Sequence, residues 1–169
     1  MANKLILMSG YPGSGKSTLA ARLAGQLGLP LVSKDAILIE IFNALSLSIG
    51  ETQVAGKAAW AVFWHMARSF PRAVLDTNIK PRSPLERAEL AKLDAQIVEV
   101  RCVCPIELAM RRYAERGATG HPAQRFHQPS TELFAEYDGP IGVGALIESD
   151  TAKMPDIDDI VRRIERHFA

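Results

Sequence analysis

A parallel α/β sheet covered by helices on both faces is the fold class this 169-residue sequence predicts, and three observations predict it. Short apolar runs suited to buried strands alternate with helix-period segments from end to end. The run Leu5-Ile6-Leu7-Met8 leads into Gly10-Tyr11-Pro12-Gly13-Ser14-Gly15-Lys16-Ser17, an unbroken G-x-x-x-x-G-K-[ST] pattern that belongs between a strand and a helix. Polar residues then stand at the ends of three strand candidates: Ser9, Lys34 with Asp35, and Asp76 with Asn78. In open parallel sheets, ligands lie outside the carboxyl ends of the strands.

The first helix runs from Lys16 to Leu27, with Leu19, Leu23 and Leu27 at helical spacing and Gly28 where it would stop. Pro30-Leu31-Val32-Ser33 reads as a second short strand, closed by Lys34-Asp35. Ile37, Leu38, Ile41, Phe42 and Leu45 give helical periodicity over Ala36 to Leu47, which Gly50-Glu51-Thr52 breaks. A helix from about Gln53 to Ser69 carries Trp60, Phe63, Trp64 and Met66 before Pro71. Ala73-Val74-Leu75-Asp76 is the third strand. Ser83 caps a helix from Pro84 to Leu93, with proline at its first position. Gln96 to Cys104, rich in β-branched residues, is the fourth strand. Pro105-Ile106-Glu107 opens a helix that continues to about Arg116 and ends at Gly117. Ala118 to Pro129 has little periodicity and reads as a surface loop or short lid, about residues 118–130. Thr131 to Tyr137 is a short helix, Asp138-Gly139-Pro140 a turn, and Ala145-Leu146-Ile147-Glu148 the fifth strand. Ile157, Ile160, Val161, Ile164 and Phe168 share one face of a final helix from Ile157 to Phe168. With no internal repeat or low-complexity linker, one domain over 1–169 is expected.

Hydrophobic residues make up 47% and charged residues 23%, ordinary for a soluble globular protein. A net charge of +1 gives no broad footprint for duplex nucleic acid. The apolar residues before Gly10 are too few for a signal-peptide core, and no run reaches membrane-spanning length. Cys102 and Cys104 stand at i and i+2 in a strand, where a disulfide would be strained. Buried free thiols in a reducing cytosol are the expectation, and with them a cytoplasmic location. His65, His121, His127 and His167 show no metal-ligand spacing with the cysteines, and His121 is the one worth testing in the lid.

The glycine-rich pattern dictates its own chemistry. Its glycines let the backbone turn where a Cβ would intrude, successive N–H groups form an anion nest, and the following helix aims its free N–H groups at the same place. Gly10, Gly13, Ser14, Gly15, Lys16, Ser17 and Thr18 are therefore the nucleotide-binding candidates. Lys16 supplies a mobile charge for β- and γ-phosphates, and the Ser17 hydroxyl supplies an oxygen for Mg²⁺.

Other residues carry two readings each. Asp35 is a candidate general base for a phosphoryl-accepting hydroxyl, or a helix cap. Asp76 is a candidate to hold Mg²⁺ through a water, or a loop cap. Asn78 is a candidate to bind a substrate hydroxyl, or a turn residue. Arg111, Arg112 and Arg116 lead into the lid, and Arg125 follows across it. Arg112 and Arg116, at i and i+4, are candidates to close over a transferring phosphoryl group, with Arg125 counted with Asn78 toward the substrate. Arginines in a last helical turn are also favourable in any helix. Trp60 and Trp64 read as core before a stacking wall.

These residues resemble the small phosphate-loop kinases grouped with chloramphenicol phosphotransferase, the zeta-type toxins and the kinase domain of phage polynucleotide kinase. The resemblance rests on Gly10 to Ser17, Val32-Ser33-Lys34-Asp35, Leu75-Asp76-Thr77-Asn78, and Cys104-Pro105-Ile106-Glu107 followed by Arg112 and Arg116. It implies a P-loop NTPase fold of nucleoside-kinase-like form, with a five-stranded parallel sheet and transfer of the ATP γ-phosphate to a hydroxyl. It also implies Asp35 as the base and Arg112 and Arg116 as lid arginines. Relatives that bind nucleic acid often carry an arginine shortly after the aspartate, whereas Ala36-Ile37-Leu38 follow Asp35 here. The expected activity is thus an ATP- and Mg²⁺-dependent kinase acting on a small hydroxyl-bearing acceptor. A nucleotide-binding or slow ATPase module without an acceptor, and a kinase of 5′-hydroxyl nucleic acid, are the alternatives.

Overall fold

The computed structural model describes residues 3–124 and 129–169. Strand β1 (Asn3–Ser9) sends alternate side chains to opposite faces. Ile6 and Met8 enter one core, Leu5 and Leu7 the other, and all four are fully buried. A strand apolar on both faces belongs in the middle of a covered sheet. With β2 (Leu31–Ser33), β3 (Arg72–Asp76), β4 (Ala95–Val103) and β5 (Ala145–Asp150), β1 forms an all-parallel, five-stranded sheet in the order β2-β3-β1-β4-β5.

Helices α1 (Lys16–Leu27) and α7 (Ile157–Phe168) cover one face. There Leu19, Leu23, Ile160 and Ile164 meet Ile6, Val74 and Val98. The other face holds α3 (Thr52–Ser69) and the end of α4 (Pro84–Ala91), whose Phe63, Trp64, Ala67 and Leu90 meet Leu5, Leu75 and Ile97. Helix α2 (Lys34–Ala44) lies on α3 through Leu38, Phe42, Ala55 and Ala59. Helices α5 (Ile106–Thr119) and α6 (Thr131–Ala135) enclose a smaller cluster around Ala109 and Phe134. The chain leaves β1 toward β2 on one side and leaves its neighbour β3 toward β4 on the other. The carboxyl ends of β1 and β3 therefore flank the crevice where such a sheet leaves room for a ligand.

Two helices end away from the positions expected. Periodicity suggested that α2 reaches Leu47, but it stops at Ala44. Ser46 takes a left-handed φ of 51°, with Ser46 N–H donating to Asn43 O and Leu47 N–H to Phe42 O. This is the glycine-type helix stop with serine in the glycine position, so the usual marker is missing. Helix α5 was expected to end at Gly117 but continues to Thr119, with Gly120 N–H closing on Arg116 O at 2.6 Å. A helical glycine costs only about 1 kcal/mol, too little to stop a helix anchored at both sides.

The segment read as a lid is less open than expected over its described part. Ala123 is fully buried against α2 and α3. His121 Nδ1 accepts from Ala123 N–H at 3.1 Å, so Nε2 of the neutral ring donates to Asn43 Oδ1 at 2.9 Å. Arg125 and His127 lie outside the described residues. Cys102 and Cys104 are free and buried, and burial pushes the Cys102 thiol up to about 12. No described helix is long and apolar enough to cross a membrane.

Candidate functional site

The loop between β1 and α1 is shaped by close approach of its backbone to neighbouring elements. Gly10 and Gly13 have φ of 119° and 80°. A Cβ there would stand 2.4 Å from Cys102 O or 2.3 Å from Ala109 O. Both positions thus require glycine. Lys16 opens α1, and its buried ammonium reaches back across the loop to donate to Tyr11 O at 2.6 Å. Burial pushes its pKa down to about 8, against the opposing pull of the Asp76 charge.

Asp76 ends β3 and is buried, which raises its pKa; a hydrogen bond from Ser17 and the charge of Lys16 act in the other direction. Ser33 Oγ donates to Asp76 Oδ2 at 3.3 Å and accepts from Ala36 N–H at 3.4 Å. Ser33, not Asp35, therefore caps α2. The Asp35 carboxylate instead pairs with Lys34, Nζ to Oδ1 2.7 Å.

One cavity of about 180 Å³ brings together Gly13, Gly15, Lys16, Ser17, Thr18, Asp35, Asp76, Asn78, Arg112 and Arg116. These come from the loop, α1, α2, the end of β3 and α5. Thr77 joins them with a buried, unpartnered hydroxyl. Gly10 and Ser14 do not line the cavity: Gly10 lies against Cys102, and Ser14 is fully buried.

A second cavity of about 250 Å³ adjoins the first, and Asp35, Asn78 and Arg116 line both. Its further walls include Lys34, Trp60, Lys80, Glu86, Tyr113 and Tyr137. Glu86 accepts from Lys80 N–H at 2.5 Å, and burial raises its pKa. Of the two tryptophans, Trp64 belongs to the core, while half-buried Trp60 stacks on it at 5.4 Å and also faces this cavity.

A third cleft, about 390 Å³, runs from Thr18 and Leu19 to the connection Thr151–Pro155 after β5. Arg112 lines it and donates through Nη1 to Thr151 O at 3.1 Å. The paired arginines of α5 thus divide, with Arg112 toward this cleft and Arg116 toward the second cavity. Arg111 is exposed and lines neither.

Sequence reasoning missed roles for Lys34, Thr77, Lys80, Glu86, Tyr113 and Tyr137. Lys34 was named at its strand end but given no role, and Thr77 and Lys80 follow a strand end, so the rule that found Asp35 and Asp76 could have found them too. Tyr137 carries no such local signal. Among the described residues, no group of three or more His, Cys, Asp or Glu could hold a metal by itself. The Ser17 hydroxyl and Asp76 carboxylate are oxygen donors beside the first cavity, a set suited to a small hard cation that keeps several waters.

A family model described as AAA domain matches residues 5–135. Among solved structures, the chain is similar to a provisionally assigned kinase from Chloroflexus aurantiacus, 26% identical with TM-score 0.84, covering 99% of each chain. It is also similar to the Mycobacterium tuberculosis APS kinase in complex with AMPPNP and APS, 18% identical with TM-score 0.62, over 99% of this chain and 98% of that one. Shikimate kinase from Acinetobacter baumannii in complex with shikimate is 20% identical with TM-score 0.60, over 99% and 93%. The latter two likenesses show the fold alone, that of phosphate-loop kinases. Cytidylate kinase from Ignicoccus hospitalis is 40% identical over 47 residues, 28% of this chain and 27% of that protein. The matched stretch thus spans about a quarter of that curated relative.

Proposed function

The chain belongs to the AAA domain family matched over residues 5–135, and on that premise we propose that it is an ATP- and Mg²⁺-dependent phosphotransferase that moves the γ-phosphate to a hydroxyl of a small-molecule acceptor. One observation carries this reading: the phosphate cavity and a second, separately walled cavity share Asp35, Asn78 and Arg116. A module that only hydrolyses nucleotide needs no such second cavity at its phosphate end. The short segments Val32–Asp35 and Leu75–Asn78 extend the likeness to chloramphenicol phosphotransferase and the zeta-type toxins, and a cytoplasmic location accords with it. That this fold includes an APS kinase solved with AMPPNP and a shikimate kinase solved with shikimate supports a nucleotide beside a small acceptor.

In this reading Lys16 and the loop amides hold the phosphates, and the base enters the cleft between Leu19 and Met154-Pro155, with Arg112 at its edge. Ser17 and Asp76 would hold Mg²⁺, which supplies charge neutralisation at the β- and γ-phosphates when bound. Asn78 orients the acceptor hydroxyl toward Asp35. As the acceptor oxygen bonds to the γ-phosphorus, its proton passes to the Asp35 carboxylate. The bond from the γ-phosphorus to the bridging oxygen breaks, and its electron pair leaves on ADP. Arg116, over the Tyr113 ring at 5.6 Å, meets the charge that develops on the transferring group. Since residues 121–123 are anchored to α2, we assign closure to the α5 arginines within one catalytic domain.

The test is transfer from γ-labelled ATP with Mg²⁺ to nucleosides, 5′-hydroxyl oligonucleotides, aminoglycosides, phenicols and nucleotide sugars, with Lys16→Ala as control. A labelled product that the control fails to make is expected. ATP consumption that no acceptor raises above the water background would replace this reading with that of a slow ATPase.

A further inference from the structure

The second cavity is lined by three cations, Lys34, Lys80 and Arg116, and two carboxylates, Asp35 and Glu86. Lys34, Lys80 and Arg116 each lie over an aromatic ring: Lys34 Nζ is 5.8 Å from the Trp60 centroid, Lys80 Nζ 5.9 Å from Tyr137, and Arg116 Cζ 5.6 Å from Tyr113. Two carboxylates face them. Glu86 is already bound to Lys80 N–H, and Asp35 to Lys34. Lys80 also pairs with Glu136, a contact half open to water and therefore weak.

The Lys34–Asp35 pair sets the requirement. The Lys34 side chain is only 12% exposed. A cationic side chain so little exposed is best placed where an anion faces it. If Asp35 turns to the acceptor hydroxyl and takes its proton, Lys34 loses that anion. The Trp60 ring does not replace a charge, and Glu86 is then the lining carboxylate that both lysines share. Glu86 feels the charge of both lysines, so the two ammonium groups stand around one region of the cavity.

We propose that the acceptor itself is an anion, carrying a carboxylate or phosphate group that seats between Lys34 and Lys80, while its hydroxyl meets Asp35. The same arrangement gives a polycationic acceptor such as an aminoglycoside two carboxylates, Asp35 and Glu86, against three like charges, and so favours an anion over it. The inference rests on the phosphotransferase reading for the role of Asp35, but the anion seat can be tested without turnover.

Trp60 faces the cavity and is one of only two tryptophans, so its emission reports occupancy. The full chain, with Mg·AMP-PNP filling the nucleotide site, is titrated with D-gluconate against D-glucitol and with glycerol 3-phosphate against glycerol. At least one anion is expected to bind about tenfold or more tightly than its neutral partner, and the two pairs separate carboxylate from phosphate preference. Lys34→Met with Lys80→Met should remove that preference while AMP-PNP affinity stays within about twofold, and Lys34→Arg with Lys80→Arg should retain it. Equal binding of neutral and anionic partners, no response to any probe, or a preference that survives the methionine variant would each overturn the proposal. The underlying reading fails separately. An intact anion preference with no label transfer to any acceptor counts against the kinase but supports the seat, whereas efficient transfer to a neutral acceptor supports the kinase and overturns the seat.

Discussion

The phosphate cavity and the cavity beside it meet at Asp35, Asn78 and Arg116, yet they are built in opposite ways. The first has a backbone object at its floor, with side chains from α2, the end of β3 and α5 around it. One contiguous run, Gly10 to Ser17, is pressed against the carbonyls of Cys102 and Ala109, and a single buried lysine reaches across it. The second is a side-chain object, walled by α2, α3, α4, α5, α6, the connection after β3 and the turn after α6, with Pro12 of the loop at its edge. Backbone geometry within a short run is set by local sequence. A wall assembled from many elements is set only when the whole chain has folded. Under the proposed function, the contrast is that of a general phosphate grip joined to an acceptor pocket that side-chain substitution can retune.

The largest effect should come at the boundary between the two. Asp35→Asn is expected to lower turnover about 10²- to 10⁴-fold while leaving nucleotide affinity within about twofold. Stopped or quenched transfer assays beside equilibrium titration of AMP-PNP check both halves. Normal turnover would remove Asp35 as the base, and a parallel loss of nucleotide affinity would mean that the two cavities act as one.

Next comes the backbone side. Gly13→Ala puts a methyl 2.3 Å from Ala109 O at a φ of 80°. Strain and overpacking of about 2–3 kcal/mol are expected, so nucleotide affinity should fall about 30- to 160-fold. Binding of small anions to the other cavity should be nearly unaffected. If both fall together, the strain passes to the second cavity through Pro12, Tyr113 and Arg116, which line it.

This difference also explains what could be read from the chain. The five strands, α1 and α7 announce themselves because each residue repeats one local condition: apolar on both faces for β1, one apolar stripe for α7. Lys16 was legible from the glycine-rich pattern, and Asp35, Asp76 and Asn78 because each stands at or just past a strand end; all four line the first cavity. Ser14 matched the pattern but contributes no cavity surface, since a motif records residue type and not where the hydroxyl points. Trp60 and Trp64 share helical spacing, yet one is core and the other half wall, because helical phase does not say where a core ends. The stop of α2 at Ala44 was hidden by serine in a left-handed position. Tyr137 enters the wall only because α6 turns it there, which no local pattern encodes.

Trp60 gives a smaller effect on the side-chain region. Trp60→Leu keeps some apolar volume but removes the ring beneath Lys34. Affinity for an acceptor-side probe should fall about five- to tenfold, in line with a cation–ring contact near 1 kcal/mol, with nucleotide affinity unchanged. Emission from the remaining Trp64 reports folding. A loss of nucleotide affinity of the same size would mean that the α3 wall supports the phosphate loop too.

The smallest predicted effect isolates the phosphate side by its charge. Burial holds the Lys16 ammonium at a pKa of about 8. Phosphate binding requires the charged form, so the bound state must raise that value. Below pH 8 the free protein already carries the charge, and affinity should be flat. As pH rises through about 8 the free protein loses the proton, affinity falls, and binding must take one up. At about pH 8.5 affinity for Mg·ADP should be about fourfold weaker than at about pH 6.5, with about three-quarters of a proton taken up per nucleotide. Titration calorimetry in two buffers of different ionisation heat measures both quantities. Lys16→Arg, which stays charged, should flatten the profile whatever it does to absolute affinity. A flat profile in the unsubstituted protein would mean that Asp76 outweighs burial and keeps Lys16 charged. The phosphate grip would then be set by a preformed ion pair, and backbone geometry would account for less of it than the two glycines suggest.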